Sequence, residues 1–465
     1  MNIIGRKREL EEMARLESSP VSEFVMVYGR RRVGKTYLVR EYFQNRFAFS
    51  MTGIAHGSRK EQLLNFRSAM LNYDEQLSNH TPENWMEAFG LLSKLLEHCP
   101  HPRKIVFLDE LPWIDTPKSD FVKALEHFWN SWASARRDVL LIVCGSAASW
   151  LVKNIVNNHG GLHNRLTCKI KLLPFTLSET ESFLSFKGIR WPRRLIAECY
   201  MILGGIPYYL SLLDKGKSLA QNVDRLFFGD APLLEGEFMN LYASLFRNSD
   251  EYVRIVEALS KKKSGYSRDE ILHVAKMTDG GSFSRKLEEL EQCGFIRSFR
   301  ASGEVQKMYQ LSDFFSLFYF DFVHKGPSFD SDFWMHISST PSYHTWCGLA
   351  FERLCMWHLP QIKRALGISG VSTNTYSCFS RTAQIDMVIE RGDRIVNLCE
   401  MKFSDQPFSI SRAYAEKIEN KISVLRHSLR KASGIHLVMI SSSGLASNQY
   451  SINLVQNTLT LDDLF

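Results

Sequence analysis

Eight consecutive residues, Gly29-Arg30-Arg31-Arg32-Val33-Gly34-Lys35-Thr36, have the spacing G-x-x-x-x-G-K-T. Glycines at these positions let a backbone curl so that its N–H groups point at phosphate oxygens where a helix begins. Lys35 would bring charge to the β- and γ-phosphates of ATP, and the Thr36 hydroxyl would ligate Mg²⁺. The whole run from Gly29 to Thr36 is therefore the expected nucleotide cradle. A second acidic segment, Ile105-Val106-Phe107-Leu108-Asp109-Glu110, follows about 75 residues later. There Asp109 would hold Mg²⁺ through water, and Glu110 would polarise an attacking water. Taken alone, an apolar run ending in Asp-Glu also reads as an ordinary strand end. Ser146, after the apolar run Val139 to Cys144, is a candidate γ-phosphate sensor or a plain strand-end serine. Arg165, in the loop Gly160-Gly161-Leu162-His163-Asn164-Arg165, is a candidate arginine finger or a surface arginine.

A second constellation lies near the other end. Gln384 to Glu390 reads as a strand containing Asp386, Arg391-Gly392-Asp393 as a turn, and Ile395 to Phe403 as a strand containing Glu400-Met401-Lys402. Alternation puts Glu400 and Lys402 on one face and Met401 on the other. A hairpin can bring Asp386 beside Glu400, and two close carboxylates make a hard-oxygen Mg²⁺ site. A neighbouring ammonium, Lys402, can orient an attacking water. Glu352, arriving from a helix over Trp346 to Leu359, could complete the shell. Phosphodiester hydrolysis needs such a set. A solvated hairpin with cross-strand charge pairs has the same pattern.

The elements that position these groups are legible in outline. Phe24 to Tyr28 is a short apolar run, expected as a buried strand, and Tyr37 to Phe43 has helical composition. Residues 176–248 read as a helical lid, with helices over Ser178 to Phe186, Arg193 to Leu203 and Tyr208 to Leu213. Residues 249–325 suggest a winged helix-turn-helix. Its helices are Glu251 to Ser260, one opened by the Ser267-x-x-Glu270 capping box, and one capped by Ser282 and stopped at Gly294. Phe295 to Phe299 and Val305 to Leu311 would be its hairpin. Arg285 and Lys286 on the last helix, with Lys261 to Lys263, suggest contact with double-stranded DNA. Glu288, Glu289 and Glu291 on the same helix count against it. Residues 326–341 look like a linker, and 342–465 like a further domain.

The chain has 465 residues, 45% hydrophobic and 23% charged, which fits several globular domains and excludes a mainly disordered chain. Its net charge of +7 is a mild tilt toward polyanionic partners. Arg6, Lys7 and Arg8 interrupt the first apolar stretch, so no signal peptide is expected. The longest uncharged apolar runs fall short of a membrane span, and Phe314 to Val323 contains Asp321. Nine cysteines without a CxxC pair favour a reduced cytoplasmic setting.

Gly5-Arg6-x-x-Glu9-Leu10, GRRRVGKT, VFLDELPW, CGSAASWL, NRLTCKIKLLPF and Gly204-Gly205-Ile206-Pro207-Tyr208-Tyr209-Leu210 occur in that order. The series resembles the prokaryotic archaeal-ATPase family, AAA+-related P-loop proteins of the STAND type. The resemblance implies an α/β P-loop core over 1–175, ATP hydrolysis and possible homo-oligomers. It places Arg6 near the adenine pocket, and Gly205 and Pro207 in a helical subdomain covering the nucleotide. It also implies that the winged helix often packs or regulates. The Asp386, Glu400 and Lys402 pattern resembles the PD-(D/E)xK nuclease superfamily, with Ile385 where the motif's proline would stand. Such a restriction-endonuclease-like domain often follows the archaeal-ATPase core.

Overall fold

The computed structural model describes residues 3–77, 79–146, 148–156, 164–300, 306–325, 332–379, 383–429 and 434–465. Contacts divide the chain into two compact units, Met1–Pro174 and Phe175–Phe465.

The first unit is built on five parallel strands: β1 (Glu23–Tyr28), β2 (Phe49–Thr52), β3 (Lys104–Asp109), β4 (Val139–Gly145) and β5 (Cys168–Lys171). Their order is β2-β3-β4-β1-β5. Residues 24–27 of β1 and all of β3 and β4 are buried. Parallel strands covered by helices on both faces lose the hydrophobic–polar alternation, which is why these segments read as continuous apolar runs. The helix Trp85–His98, capped by the Asn84 side chain, packs Phe89, Leu92 and Leu96 into the core with Phe121, Phe128 and Trp129. Because all five strands run the same way, the C-terminal ends of β1, β3 and β4 meet at one edge, where ligands of open α/β sheets gather.

The second unit begins with the helices Leu177–Phe186, Arg193–Leu203, Pro207–Ser211, Leu219–Phe227 and Glu237–Leu245. Gly205 has φ 65°, and a Cβ there would lie 2.5 Å from the Phe175 carbonyl oxygen. Only glycine fits this close approach, in which Phe175 N–H donates to the Gly205 oxygen at 2.8 Å. The helices Ser249–Ser260, Arg268–Val274 and Gly281–Gln292 follow. With them comes a small antiparallel sheet of β6 (Tyr266–Ser267), β7 (Ile296–Phe299) and β8 (Met308–Leu311), in the order β6-β8-β7. The Ser267 capping box is present. The third helix starts earlier than Ser282 implied. Gly280 stands at its N-cap, and the Ser282 hydroxyl instead accepts from Lys286 at 2.7 Å.

Residues 326–331 lie outside the described set. Among its described residues the expected linker contains a helical turn, Phe333–Ile337, with Trp334 buried. Its Trp334 and Met335 N–H groups donate to the Asp224 carboxylate at 2.6 and 3.2 Å. Two adjacent aromatics outweigh the flanking serines there, because burying them stabilises more than solvating the turn does.

The last part of this unit is a mixed sheet in the order β13-β12-β11-β10-β9. The strands are β9 (Thr373–Phe379), β10 (Gln384–Arg391), β11 (Ile395–Lys402), β12 (Gly434–Ser441) and β13 (Val455–Thr460). β9, β10 and β11 are antiparallel neighbours, while β12 and β13 run parallel to β11. The helix Pro341–Trp357 precedes it in sequence, and Arg412–Ser428 connects β11 to β12. Two contacts fasten this sheet's surroundings to the helices that open the unit. His358 Nε2 accepts from Leu177 N–H at 3.0 Å, and burial pushes this imidazole down to about 4. Arg194 donates to the Ser404 carbonyl at 2.7 Å, pairs with Asp405 at 2.5 Å and lies over the Phe403 ring.

Candidate functional sites

Gly34, at φ 91°, is the N-cap of the helix Lys35–Tyr42. No described atom lies within 4 Å of where its Cβ would be, so the loop has an open side. Lys35 is buried, and its ammonium donates to the Gly29 and Arg30 carbonyls at 3.2 and 3.0 Å and to Ser146 Oγ at 3.0 Å. The Ser146 hydroxyl passes the chain on, donating to Glu110 Oε1 at 2.7 Å, while Ser146 N–H donates to Oε2 at 3.2 Å. Thr36 Oγ1 donates to Asp109 Oδ2 at 2.8 Å, and Asp109 Oδ1 accepts from Glu110 N–H at 3.0 Å. Glu110 itself is left-handed, φ 49° and ψ 52°, which turns its side chain away from the direction β3 would give it. Thus β1, β3 and β4 bring Lys35, Thr36, Asp109, Glu110 and Ser146 together as the spacing implied. A hydroxyl and a carboxylate 2.8 Å apart beside a helix N-terminus are a donor set that fits Mg²⁺ with a phosphate chain.

Arg6 is buried and donates to the Leu173 carbonyl at 2.7 Å and the Val33 carbonyl at 3.1 Å. Its guanidinium therefore braces the phosphate-binding loop, a role that spacing alone did not suggest. Arg31 and Arg32 are half-buried, and Arg30 and Val33 are buried. Arg165 is exposed in the turn before β5, and residues 160–163 of its loop lie outside the described set. Pro207 opens a short helix of the second unit.

In the C-terminal sheet, the pairing Met387↔Cys399 puts Asp386 against Glu400 one step further along. Asp386 Oδ2 accepts from Met401 N–H at 3.1 Å. Glu400 is fully buried, and both its oxygens have partners: Tyr414 O–H at 2.8 Å and Lys421 Nζ at 2.5 Å. Lys402 Nζ lies 5.0 Å from the Tyr414 ring centroid. Burial, and then the Glu400 charge, push the Asp386 carboxyl up to about 6. Burial, and then the Asp386 charge, push Glu352 up to about 7. Three carboxylates therefore feel one another, as in a cation site. Yet Lys421 already neutralises Glu400, and among the described residues no three Asp, Glu, His or Cys side chains converge as a metal-ligand group. Lys421 and Tyr414 were not anticipated. Their only signal was helical placement seven residues apart after the E-x-K strand, which puts both on one face.

The basic residues of the third helix are partly committed. Lys286 pairs with Glu251 at 2.8 Å, so it faces its neighbouring helix. Glu291 accepts from Ser298 N–H and pairs with Lys307, so this acid serves the hairpin.

Residues 3–213 match the family model described as an ATPase domain predominantly from Archaea. An uncharacterised protein of Methanocaldococcus jannaschii is 22% identical over 410 residues, 86% of this chain and 88% of that protein. An uncharacterised ATP-binding protein of the same organism is 40% identical over 43 residues, 9% of this chain and 73% of that protein. The Walker-type ATPase of Pyrococcus abyssi shares the fold with a TM-score of 0.52 at 18% identity, covering 69% of this chain and 97% of that one. Among the described residues no helix is long and apolar enough to cross a membrane.

Proposed function

From an ATPase domain over residues 3–213, we propose that this chain binds and hydrolyses ATP, and that its nucleotide state controls a C-terminal metal-dependent nuclease acting on double-stranded DNA. The observation that carries the first part is the connected set Lys35–Ser146–Glu110 and Thr36–Asp109 at one sheet edge. The description of the short M. jannaschii relative as ATP-binding agrees with it. Loop N–H groups and Lys35 hold the phosphates. Thr36 and Asp109 would hold Mg²⁺, which spreads the negative charge of the phosphate oxygens. Glu110 orients a water whose oxygen attacks the γ-phosphorus as the bond to the ADP oxygen breaks. The products are ADP, phosphate and a proton. Ser146, hydrogen-bonded to both Lys35 and Glu110, links phosphate contact to water placement. Arg165, exposed, suits a finger reaching the nucleotide of a second copy.

For the C-terminal part, the support is Asp386 paired in register with Glu400, Glu400 and Lys402 both against Tyr414, and Glu352 and Asp386 lining one cavity. The three helices and three-stranded sheet between 249 and 311 are read as a winged helix that packs more than it reads DNA, given the Lys286–Glu251 pair. A plasmid-nicking assay with Mn²⁺ tests the nuclease. Wild type should nick supercoiled DNA, and Asp386→Asn should not, while both keep ATP turnover. The Lys421–Glu400 ion pair favours a second reading, in which the nuclease fold is catalytically silent and the output is binding of a partner or DNA. Absence of metal-dependent nicking by wild type would leave that reading standing.

A further inference from the structure

Lys263, Arg297, Gln310, Glu352, Arg353 and Asp386 line one small, solvent-open cavity within the second unit. Two stretches of chain build it. Lys263 comes from the loop after helix Ser249–Ser260, and Arg297 from β7. Arg353 and Glu352 come from helix Pro341–Trp357, and Asp386 from β10. The two sides are fixed to each other, because Phe299 of β7 and Met308 of β8 pack in one apolar cluster with Tyr376, Ile385 and Val388. Arg297 Nε donates to Gln310 Oε1 at 2.7 Å, and Gln310 in turn donates to the Lys263 carbonyl, so the basic wall is internally braced.

The charges of this wall are not balanced at close range. Among the described residues, none of Lys263, Arg297 and Arg353 has a carboxylate within ion-pair distance, although Asp321 and Glu352 lie near both Arg353 and Lys263. Burial, and then the Arg353 charge, hold the Arg297 guanidinium below its usual range at about 10. Half-buried like charges are costly until an anion sits between them. Three cations, Lys263, Arg297 and Arg353, face only two carboxylates, Glu352 and Asp386, in the lining of this cavity. Guanidinium forks match the oxygens of a tetrahedral phosphate, and two of the three cations are arginines.

We propose that this cavity holds a phosphate group of a nucleic-acid backbone, with Lys263 and Arg297 of the 249–311 segment completing, beside Arg353, the site at Glu352 and Asp386. The inference rests on reading that site as directed at phosphodiesters, and it adds where the phosphate is gripped and by which segment. The E-x-K strand and its helix are then only half of the nucleic-acid site.

The test uses the full chain carrying Lys35→Ala, so that the phosphate-binding loop does not compete, without divalent metal. Anisotropy of a labelled duplex oligonucleotide is followed across a salt series, with inorganic phosphate and ATP as competitors. Adding Arg297→Gln, Arg353→Gln or Lys263→Gln should each weaken duplex binding about tenfold and lower the salt slope by about one, as the loss of one phosphate contact does. Arg297→Lys, which keeps the charge but not the guanidinium fork, should bind more tightly than Arg297→Gln and more weakly than the parent. Melting midpoints report whether each variant folds, and Lys263→Gln, on an exposed loop residue, decides should Arg297→Gln not fold. Equal affinity and slope in wild type and Lys263→Gln overturns the proposal. So does an Arg297-dependent site that takes ATP and ignores duplex. Nicking with Mn²⁺ is scored separately. Arg297-dependent duplex binding without nicking keeps this site and removes the nuclease, whereas nicking untouched by Arg297→Gln and Lys263→Gln removes this site and keeps the nuclease.

Discussion

Lys421 Nζ stands 2.5 Å from Glu400 Oε1, so the acid at the centre of the E-x-K strand shares an ion pair with a lysine from the helix that follows. Glu400 is fully buried, and its other oxygen takes the Tyr414 hydroxyl. A carboxylate in that position must be neutralised, by an ammonium or by a metal cation.

Removing the ammonium therefore exposes which of the two the site prefers. Lys421→Met should destabilise the metal-free chain by roughly 3–5 kcal/mol, the usual penalty for stranding one partner of a buried pair. Mn²⁺ should then recover part of that loss, and stabilise the variant more than wild type, by mass action on the folded state. Urea unfolding with and without Mn²⁺ measures both. A loss below about 1 kcal/mol would mean the pair is not as buried as described.

The two raised carboxyls give a pH signature. An acid whose folded value lies above its ordinary one stabilises fully below the ordinary value, and that contribution is lost as pH rises through the folded value. For Asp386 the window runs from 3.8 to about 6, and for Glu352 from 4.5 to about 7. His358 works in the opposite direction, because an imidazole held down to about 4 loses stability as pH falls below 6.5. The informative quantity is thus the difference between wild type and Asp386→Asn. Denaturant unfolding from pH 4 to 8 should show wild type losing up to about 3 kcal/mol relative to the variant as pH rises, at 1.36 kcal/mol per pKa unit. A constant difference across that range would contradict the burial of Asp386.

Much of the first site was legible because a phosphate-binding loop is local chemistry. Gly34, Lys35 and Thr36 are adjacent in sequence, and β1 and β3 are apolar runs that a parallel sheet buries on both faces. What spacing could not give was the direction of side chains after a strand ends. The left-handed turn at Glu110 brings its carboxylate onto Ser146, and no composition signal marks that turn. Arg6 was tied to the nucleotide by resemblance, while its hydrogen bonds run to Val33 and Leu173. In the C-terminal sheet a hairpin between the two strands can bring Asp386 beside Glu400, and the turn at 392–394, one residue later than the sequence suggests, gives that register. The Lys421 and Tyr414 partners come from a helix whose docking depends on tertiary packing. Ser-rich residues near 338 read as a linker, while Trp334, buried, and Phe333, against Phe228, anchor that stretch by packing that local composition does not reveal.

Nucleotide affinity is expected to depend on Lys35. Lys35→Ala leaves phosphate charge uncompensated, and a charge-assisted contact is worth about 1.5–3 kcal/mol. Isothermal titration should show ATP binding at least about tenfold weaker in the variant. Equal affinities would remove the phosphate-binding assignment.

Glu110 is the group proposed to place the attacking water. Glu110→Gln keeps the shape and the Ser146 contact but loses the carboxylate charge, an interaction that matters in the transition state more than in binding. Single-turnover hydrolysis of ATP with Mg²⁺, measured beside ATP affinity, separates the two. The predicted result is unchanged affinity with turnover slowed by about 100-fold or more. Hydrolysis at the wild-type rate in Glu110→Gln, or no ATP hydrolysis by wild type, would contradict it.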